Sequence, residues 1–204
     1  MNDKTDLRRQ LRRRRAAVPA WLRRCAEQRV AKRAVPWLRR GWRVGAYLAL
    51  GSELSLAPLM TLARRRGVRL FLPLVPARGR RLGFVAADAP AGRWRRNRYG
   101  IAEYHGRQRL APHRLDAVFV PLVGFDAQGG RLGQGGGYYD TTFAFRLRRR
   151  WKKPTLIGVG FECQRVAQIP REAHDAPLDA VLSERAVYRP GHLSRDSRAR
   201  KTAT

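Results

Sequence analysis

Residues 117–140 read AVFVPLVGFDAQGGRLGQGGGYYD. Ala117 to Val123 is a continuous apolar run, Asp126 to Gly130 has turn chemistry, and Arg131 to Gly137 is a loop nearly bare of side chains. From Tyr139 to about Arg150 the spacing predicts a helix. An apolar run of this length, edged by Gly, Pro or charge, is the mark of a strand buried on both faces. The same texture recurs at Val44–Leu50, Val68–Val75 and Leu156–Phe161, with a last short strand at Ala180–Leu182. Ser55–Arg66 lies between the first two runs and sets Leu56, Leu59, Met60 and Ala63 on one helical face, with Arg64 to Arg66 at the end where cations suit the helix dipole. Strand, helix, strand implies a right-handed crossover. The expected fold class is α/β, a single-domain three-layer α/β/α sandwich with a mixed, mainly parallel sheet.

Upstream, residues 3–17 contain no Pro or Gly and predict a helix capped by Asn2 or Asp3. Pro19 opens a second helix, Ala20–Arg40, with Leu22, Cys25, Ala26, Val30, Ala34 and Trp37 as its apolar stripe and Pro36 near its end. Residues 76–115 are broken by Gly and Pro and predict short strands and loops. Residues 1–190 read as the domain, and 191–204 as a basic, disordered tail.

With 44% hydrophobic residues, 204 residues suffice for one real core. The longest uncharged stretch, Leu54–Ala63, is half a bilayer span, and the arginine-rich start lacks the apolar centre of a secretion signal. A cytoplasmic monomer without membrane contact is expected. Cys25 and Cys163 form no paired motif, so free thiols are expected rather than disulfide or zinc. The formal charge of +29 makes polyanions attractive partners, and residues 1–40 hold fourteen basic and three acidic side chains around the block Arg12–Arg15. An arginine-rich composition is the favoured explanation of the excess, since Arg far exceeds Lys and the excess is spread over the whole chain.

The glycine loop reads as an anion site, because glycines let backbone N–H groups point at a ligand and the following helix adds its positive end. A P-loop is excluded by the lack of Lys. The dinucleotide pattern begins at Gly133 and Gly135 but meets Tyr138 where its third glycine belongs. A purely structural turn is the competing reading. Arg131, a fixed cation, and Asp140, a hard carboxylate, favour phosphate with Mg2+.

These residues carry a resemblance. Pro121, Phe125, Asp126, Gly129 or Gly130, then Arg131, Leu132, Gly133, Gly135, Gly137, Tyr138, Tyr139 and Asp140 resemble the signature of the 5-formyltetrahydrofolate cyclo-ligase (methenyltetrahydrofolate synthetase) family. Lys4, Leu7 and Arg8, the segments YLALGSELSLAPLM and GVRLFLPLV, NRYGIAEY at 97–104, and GVGFECQRVAQIPREAHDAPLDAVLSE follow in the family's order. Together they span most of residues 4–184.

The resemblance implies a ligase that uses MgATP to cyclise 5-formyltetrahydrofolate to 5,10-methenyltetrahydrofolate, releasing ADP and phosphate. Catalysis would be positioning and charge stabilisation; the scattered histidines 105, 113, 174 and 192 form no triad. It implies catalytic roles for Arg131 and Tyr138. ATP would be held by Lys4, Arg8, Arg131, Gly133, Gln134, Gly135, Gly136, Gly137, Tyr138 and Tyr139. The reduced folate would meet Leu48, Glu53, Gln134, Gly135, Gly136, Gly137 and Tyr138. Mg2+ would sit on Asp140 and Asp175. Several positions depart from the family: Ser55 and Leu56 where many members carry Asp-Thr, Tyr104 for Pro, Thr141 for Arg, and Gly136 where some have Lys. The alternative is a basic RNA-binding protein on an enzyme-like fold, touching non-specific nucleic acid through Arg12–Arg15 and the tail.

Overall fold

The computed structural model describes residues 4–87, 92–97, 100–148, 153–173 and 175–190. Helices α1 (Lys4–Ala16) and α2 (Ala20–Arg33) precede β1 (Arg43–Gly45), α3 (Ala57–Arg65) and β2 (Arg69–Leu74). Four short strands follow: β3 (Gly83–Ala86), β4 (Arg93–Arg96), β5 (Ala102–His105) and β6 (Arg109–Leu110). Then come β7 (Ala117–Pro121), a small β8 (Gly124–Phe125) and β9 (Arg131–Leu132) hairpin, and α4 (Tyr138–Phe143). The chain closes with β10 (Thr155–Val159), β11 (Ala180–Leu182) and β12 (Val187–Tyr188).

The eight-stranded sheet runs β12-β11-β10-β7-β1-β2-β3-β6. It is parallel from β11 through β2 and antiparallel at β12, β3 and β6, the mixed, mainly parallel sheet expected. From β1 the chain steps outward to β2, β3 and β6; it then returns with β7 on the other flank of β1 and proceeds to β10, β11 and β12. Loops leaving the carboxyl ends of β1 and β7 therefore diverge, and such a switch point leaves a crevice.

Alternate side chains explain the unbroken apolar runs. Ala117 and Phe119 of β7 join a core with Val30 of α2 and Leu59 and Ala63 of α3, whereas Val118 and Val120 join a core with Phe125, Phe143 and Leu156. The second face is covered by α4 and irregular segments rather than by long helices. α1 stands apart at the carboxyl edge, where Leu11 packs with Val123, Leu132 and Ile169.

Several boundaries differ from expectation, each for a local reason. The run Val44–Leu50 leaves the sheet after Gly45, because Tyr47, Leu48 and Leu50 wall a cavity instead. The second helix stops at Arg33 and tightens into a 3-10 turn at Val35–Trp37, where Pro36 lacks the N–H that a helix needs. Its buried stripe is Ala26, Val30, Ala31 and Ala34, which pack into the core with α3, while Leu22 and Cys25 are exposed. α4 is short, and a 3-10 turn at Ala144–Leu147 follows it; β-branched Thr141 and Thr142 and aromatic Phe143 support a helix weakly. The Asn2 or Asp3 cap and the tail 191–204 lie outside the described residues.

At the opposite, amino-terminal edge, Asp116 ties β1, β7 and β10 together. Its carboxylate accepts from the Arg43 backbone N–H (2.9 Å) and from Lys153 Nζ (3.0 Å). Burial pushes this carboxyl up, but the hydrogen bonds from Arg43 and Lys153 outweigh it and hold the folded value below the ordinary one. A depressed folded pKa contributes stability that is complete above the unfolded value of about 3.9 and is lost as pH falls through the folded value. Asp116→Asn should therefore be less stable than wild type at pH 7, with the gap closing below about pH 4. Urea unfolding across that range checks it; a gap that is constant with pH contradicts it.

Candidate active site

The crevice at the β1/β7 switch point is a cavity of about 920 Å³. Its walls are α1, the loop after β1, the end of β2, part of β5 with the turn before it, the glycine loop, and residues 172 and 175. Every residue singled out from the sequence lines it: Lys4, Arg8, Leu48, Glu53, Arg131, Gly133 to Tyr139, Asp140 and Asp175.

The turn ahead of the glycine loop is built on Asp126, which is almost wholly buried. Its Oδ1 accepts the N–H groups of Gln128 (2.9 Å) and Gly130 (2.7 Å), and Oδ2 accepts that of Ile169 (2.9 Å). A Cβ on Gly130 would lie 2.2 Å from the Asp126 carboxylate, so only glycine fits there. Beyond it, Gly135 (φ +103°) and Gly137 (φ +65°) take backbone angles that other residues resist. Among the described residues, the N–H groups of Gly133 to Gly137 donate no hydrogen bond, and no side chain caps α4. The loop thus offers a row of backbone donors along the cavity wall, which is what an anion needs.

α1 supplies the facing cations. Lys4, Arg8, Arg12 and Arg15 follow one another at four, four and three residues, so a single helical face looks into the cavity. Arg8 Nε donates to the Gly133 carbonyl (2.9 Å), and Arg12 to the Gln134 side chain (2.8 Å). Arg15 is buried; its Nε donates to Ser52 Oγ (3.0 Å), and burial lowers its pKa. The block Arg12–Arg15 is thus divided: Arg12 and Arg15 line the cavity, while Arg13 and Arg14 face solvent.

Across from the glycines, Glu53 is held at its backbone turn by the Leu50 N–H (3.0 Å) and accepts from Gln134 Nε2 (3.0 Å). At the far end, Arg131 is ion-paired with Asp140, and Lys4 with Glu172, with Asp175 at 3.9 Å from Lys4. The Ala176 N–H donates to Asp140 Oδ1 (3.3 Å), which brings the 175–176 backbone beside Asp140. Asp140 and Asp175 both line the cavity, and carboxylates of this kind are hard ligands that suit Mg2+. Among the described residues no three His, Cys, Asp or Glu side chains gather as a metal cage, so such an ion would complete its shell with phosphate oxygens and water. Tyr138 lines the cavity at the start of α4. Tyr139 stacks toward Phe143, with the Arg131 guanidinium 6.0 Å from its ring, and burial pushes its hydroxyl far above the ordinary range.

Sequence reasoning missed Arg12 and Arg15 as cavity residues, although their spacing from Lys4 and Arg8 was the available signal. It also missed Glu103, a buried acid accepting from the Val75 N–H (2.8 Å) and Asn97 (2.9 Å). Tyr104, the departure beside it, is buried and packs edge-on against Trp94. His105 stands 3.6 Å from Glu103 and His113 packs on Phe145; His174 and His192 lie outside the described residues. Cys25 and Cys163 are free, as expected.

A family model described as the 5-formyltetrahydrofolate cyclo-ligase family matches residues 1–184. The 5-formyltetrahydrofolate cyclo-ligase of Haemophilus influenzae is 30% identical over 183 residues, covering 87% of this chain and 95% of that protein. The Escherichia coli K12 enzyme of the same name is 35% identical over 150 residues, covering 71% and 79%. The solution structure of Aquifex aeolicus 5,10-methenyltetrahydrofolate synthetase is similar with a TM-score of 0.76 at 28% identity, covering 93% of each chain.

Proposed function

Since the chain belongs to the 5-formyltetrahydrofolate cyclo-ligase family, it is an ATP-dependent ligase forming 5,10-methenyltetrahydrofolate, and we propose that the cavity between α1 and the glycine loop carries the reaction. The observation that supports this most is the row of undonated N–H groups from Gly133 to Gly137, faced by the α1 cations on one side and by Glu53 on the other. The triphosphate lies along the amides, with Lys4, Arg8 and Arg131 as its cations; Tyr139 supports Arg131. The pterin lies toward Leu48, Glu53 and Tyr138.

In this arrangement the formyl oxygen attacks the γ-phosphorus, the bond to the β-phosphate oxygen breaks, and ADP leaves with the electron pair. N10 then adds to the activated formyl carbon and gives up its proton. The carbon–oxygen bond breaks, and phosphate departs. No enzyme nucleophile takes part; the chain holds two substrates in line and neutralises charge. Arg131 and Lys4 are paired with carboxylates before binding, and phosphate oxygens compete for them as the nucleotide enters. Asp140 and Asp175 would hold Mg2+, which when bound offsets phosphate charge. Glu53, a carboxylate beside the folate, suits a product that carries a positive amidinium.

No helix among the described residues is long and apolar enough to cross a membrane. The two free thiols agree with a reducing compartment, and we assign the chain to the cytoplasm. Purified protein with MgATP and 5-formyltetrahydrofolate should release ADP in step with rising methenyl absorbance. If neither appears, the assignment fails.

A further inference from the structure

α1 reaches two loops that serve different ligands. Arg8 and Arg12 hold the glycine loop; Arg15 holds the loop after β1 through Ser52. Between these loops stands one side chain. Gln134 Oε1 accepts from Arg12 Nε (3.1 Å) and Nη2 (2.8 Å), and Arg12 Nη2 also meets the Gln134 carbonyl (3.3 Å). With its oxygen taken by a donor-only group, the amide can present only its NH2 to the other side, where it donates to Glu53 Oε1 (3.0 Å). The remaining oxygen of Glu53 is bound by Leu50, and Arg15 Nη1 stands 4.0 Å from Oε1. The chain Arg12, Gln134, Glu53 is thus a directed bridge from helix to phosphate loop to folate loop.

We infer that Arg12 and Gln134 are positioning residues that couple the two substrates, so that each substrate tightens the binding of the other. This rests on the placement of nucleotide and folate given above. A loop of four glycines loses much conformational freedom when a ligand orders it. A folate that fixes Glu53 fixes Gln134 through the bridge and removes part of that cost before the triphosphate arrives. The effect is reciprocal by thermodynamic necessity, and a coupling of about tenfold is within the usual range. A merely structural Gln134 would change both affinities without changing their ratio.

The test is calorimetry with β,γ-imido-ATP in the absence and presence of saturating 5-formyltetrahydrofolate, and the reverse titration. Wild type should show about tenfold tightening in both directions. Arg12→Ala and Gln134→Ala should each bring both ratios close to one. Arg12→Lys, which keeps the charge but not the fork, should fall between. Arg12 and Gln134 are exposed, so the variants should unfold at the wild-type urea midpoint. If both alanine variants keep the wild-type ratio, or if wild type binds each ligand with a ratio of one, the coupling is refuted while the site assignment stands. If wild type binds neither ligand, both fall.

Discussion

Arg131→Ala should lower kcat by about 10²- to 10³-fold, the loss that follows when one preorganised group facing the reacting charge is removed. The argument rests on where the guanidinium sits. Its side chain is only 7% exposed, paired with Asp140 and lying near the Tyr139 ring. The guanidinium therefore does not have to be gathered from solvent when the nucleotide binds. Alanine removes this cation and also leaves the Asp140 carboxylate without its partner beside the incoming phosphates. The variant is thus worse than neutral at that point. Two further variants separate these effects. Arg131→Lys retains charge but not the planar two-pronged geometry and should recover only part of the rate. In metal-free buffer, Arg131→Ala with Asp140→Ala should bind ATP better than Arg131→Ala alone, because the stranded negative charge has gone; with Mg2+ present the loss of a metal ligand opposes that gain. Single-turnover ADP release reads the chemical step directly. A kcat within threefold of wild type would remove Arg131 from the reaction.

Asp126→Ala should cost about 3 kcal/mol or more of stability, from the penalty of about 1–3 kcal/mol for each buried donor left without an acceptor. Three backbone N–H groups, those of Gln128, Gly130 and Ile169, converge on this one carboxylate. No water can readily replace it, because the residue is 1% exposed and packed under the hairpin that leads into the glycine loop. Asp126→Asn should be milder, since one oxygen remains to accept, but the NH2 then faces a donor. Loss of this hub should also disorder the loop it launches, so the KM for ATP should rise even at temperatures where the variant is folded. Equilibrium urea unfolding with unchanged m-value measures the first effect; steady-state kinetics measures the second. A cost under 1 kcal/mol would mean that the turn is held by something other than this carboxylate.

The strand sequence was legible because doubly buried strands must be apolar at every position, as in Ala117–Pro121 and Thr155–Val159. Order in the sheet was less so. That β7 returns beside β1, opening the crevice, depends on long-range pairing such as Gly45 with Val118, which no local pattern encodes. The apolar segment Ala46–Leu50 was misread as strand because a cavity wall and a sheet face select the same residue types. In the site, glycines at Gly135 and Gly137 and the flanking Arg131 and Asp140 announced themselves by composition. The α1 ladder was half seen: in a chain with a charge of +29, Arg12 and Arg15 do not stand out from Arg13 and Arg14 until the helix is placed against the loops. Glu103 stood in the NRYGIAEY segment of the resemblance, but its place in the cavity was not read from it, since a buried acid is identified by the N–H groups that turn toward it.

The claim on which the rest depends is that the bare loop between Arg131 and Asp140 grips a triphosphate facing a reduced pterin. Its most direct test is a crystal structure with a non-hydrolysable ATP analogue and 5-formyltetrahydrofolate. The account predicts phosphate oxygens at about 2.9 Å from the N–H groups of Gly133 to Gly137, with the formyl oxygen in line with the γ-phosphorus and Glu53 against the pterin. Phosphates bound elsewhere, with the loop closed on its own side chains, would contradict it.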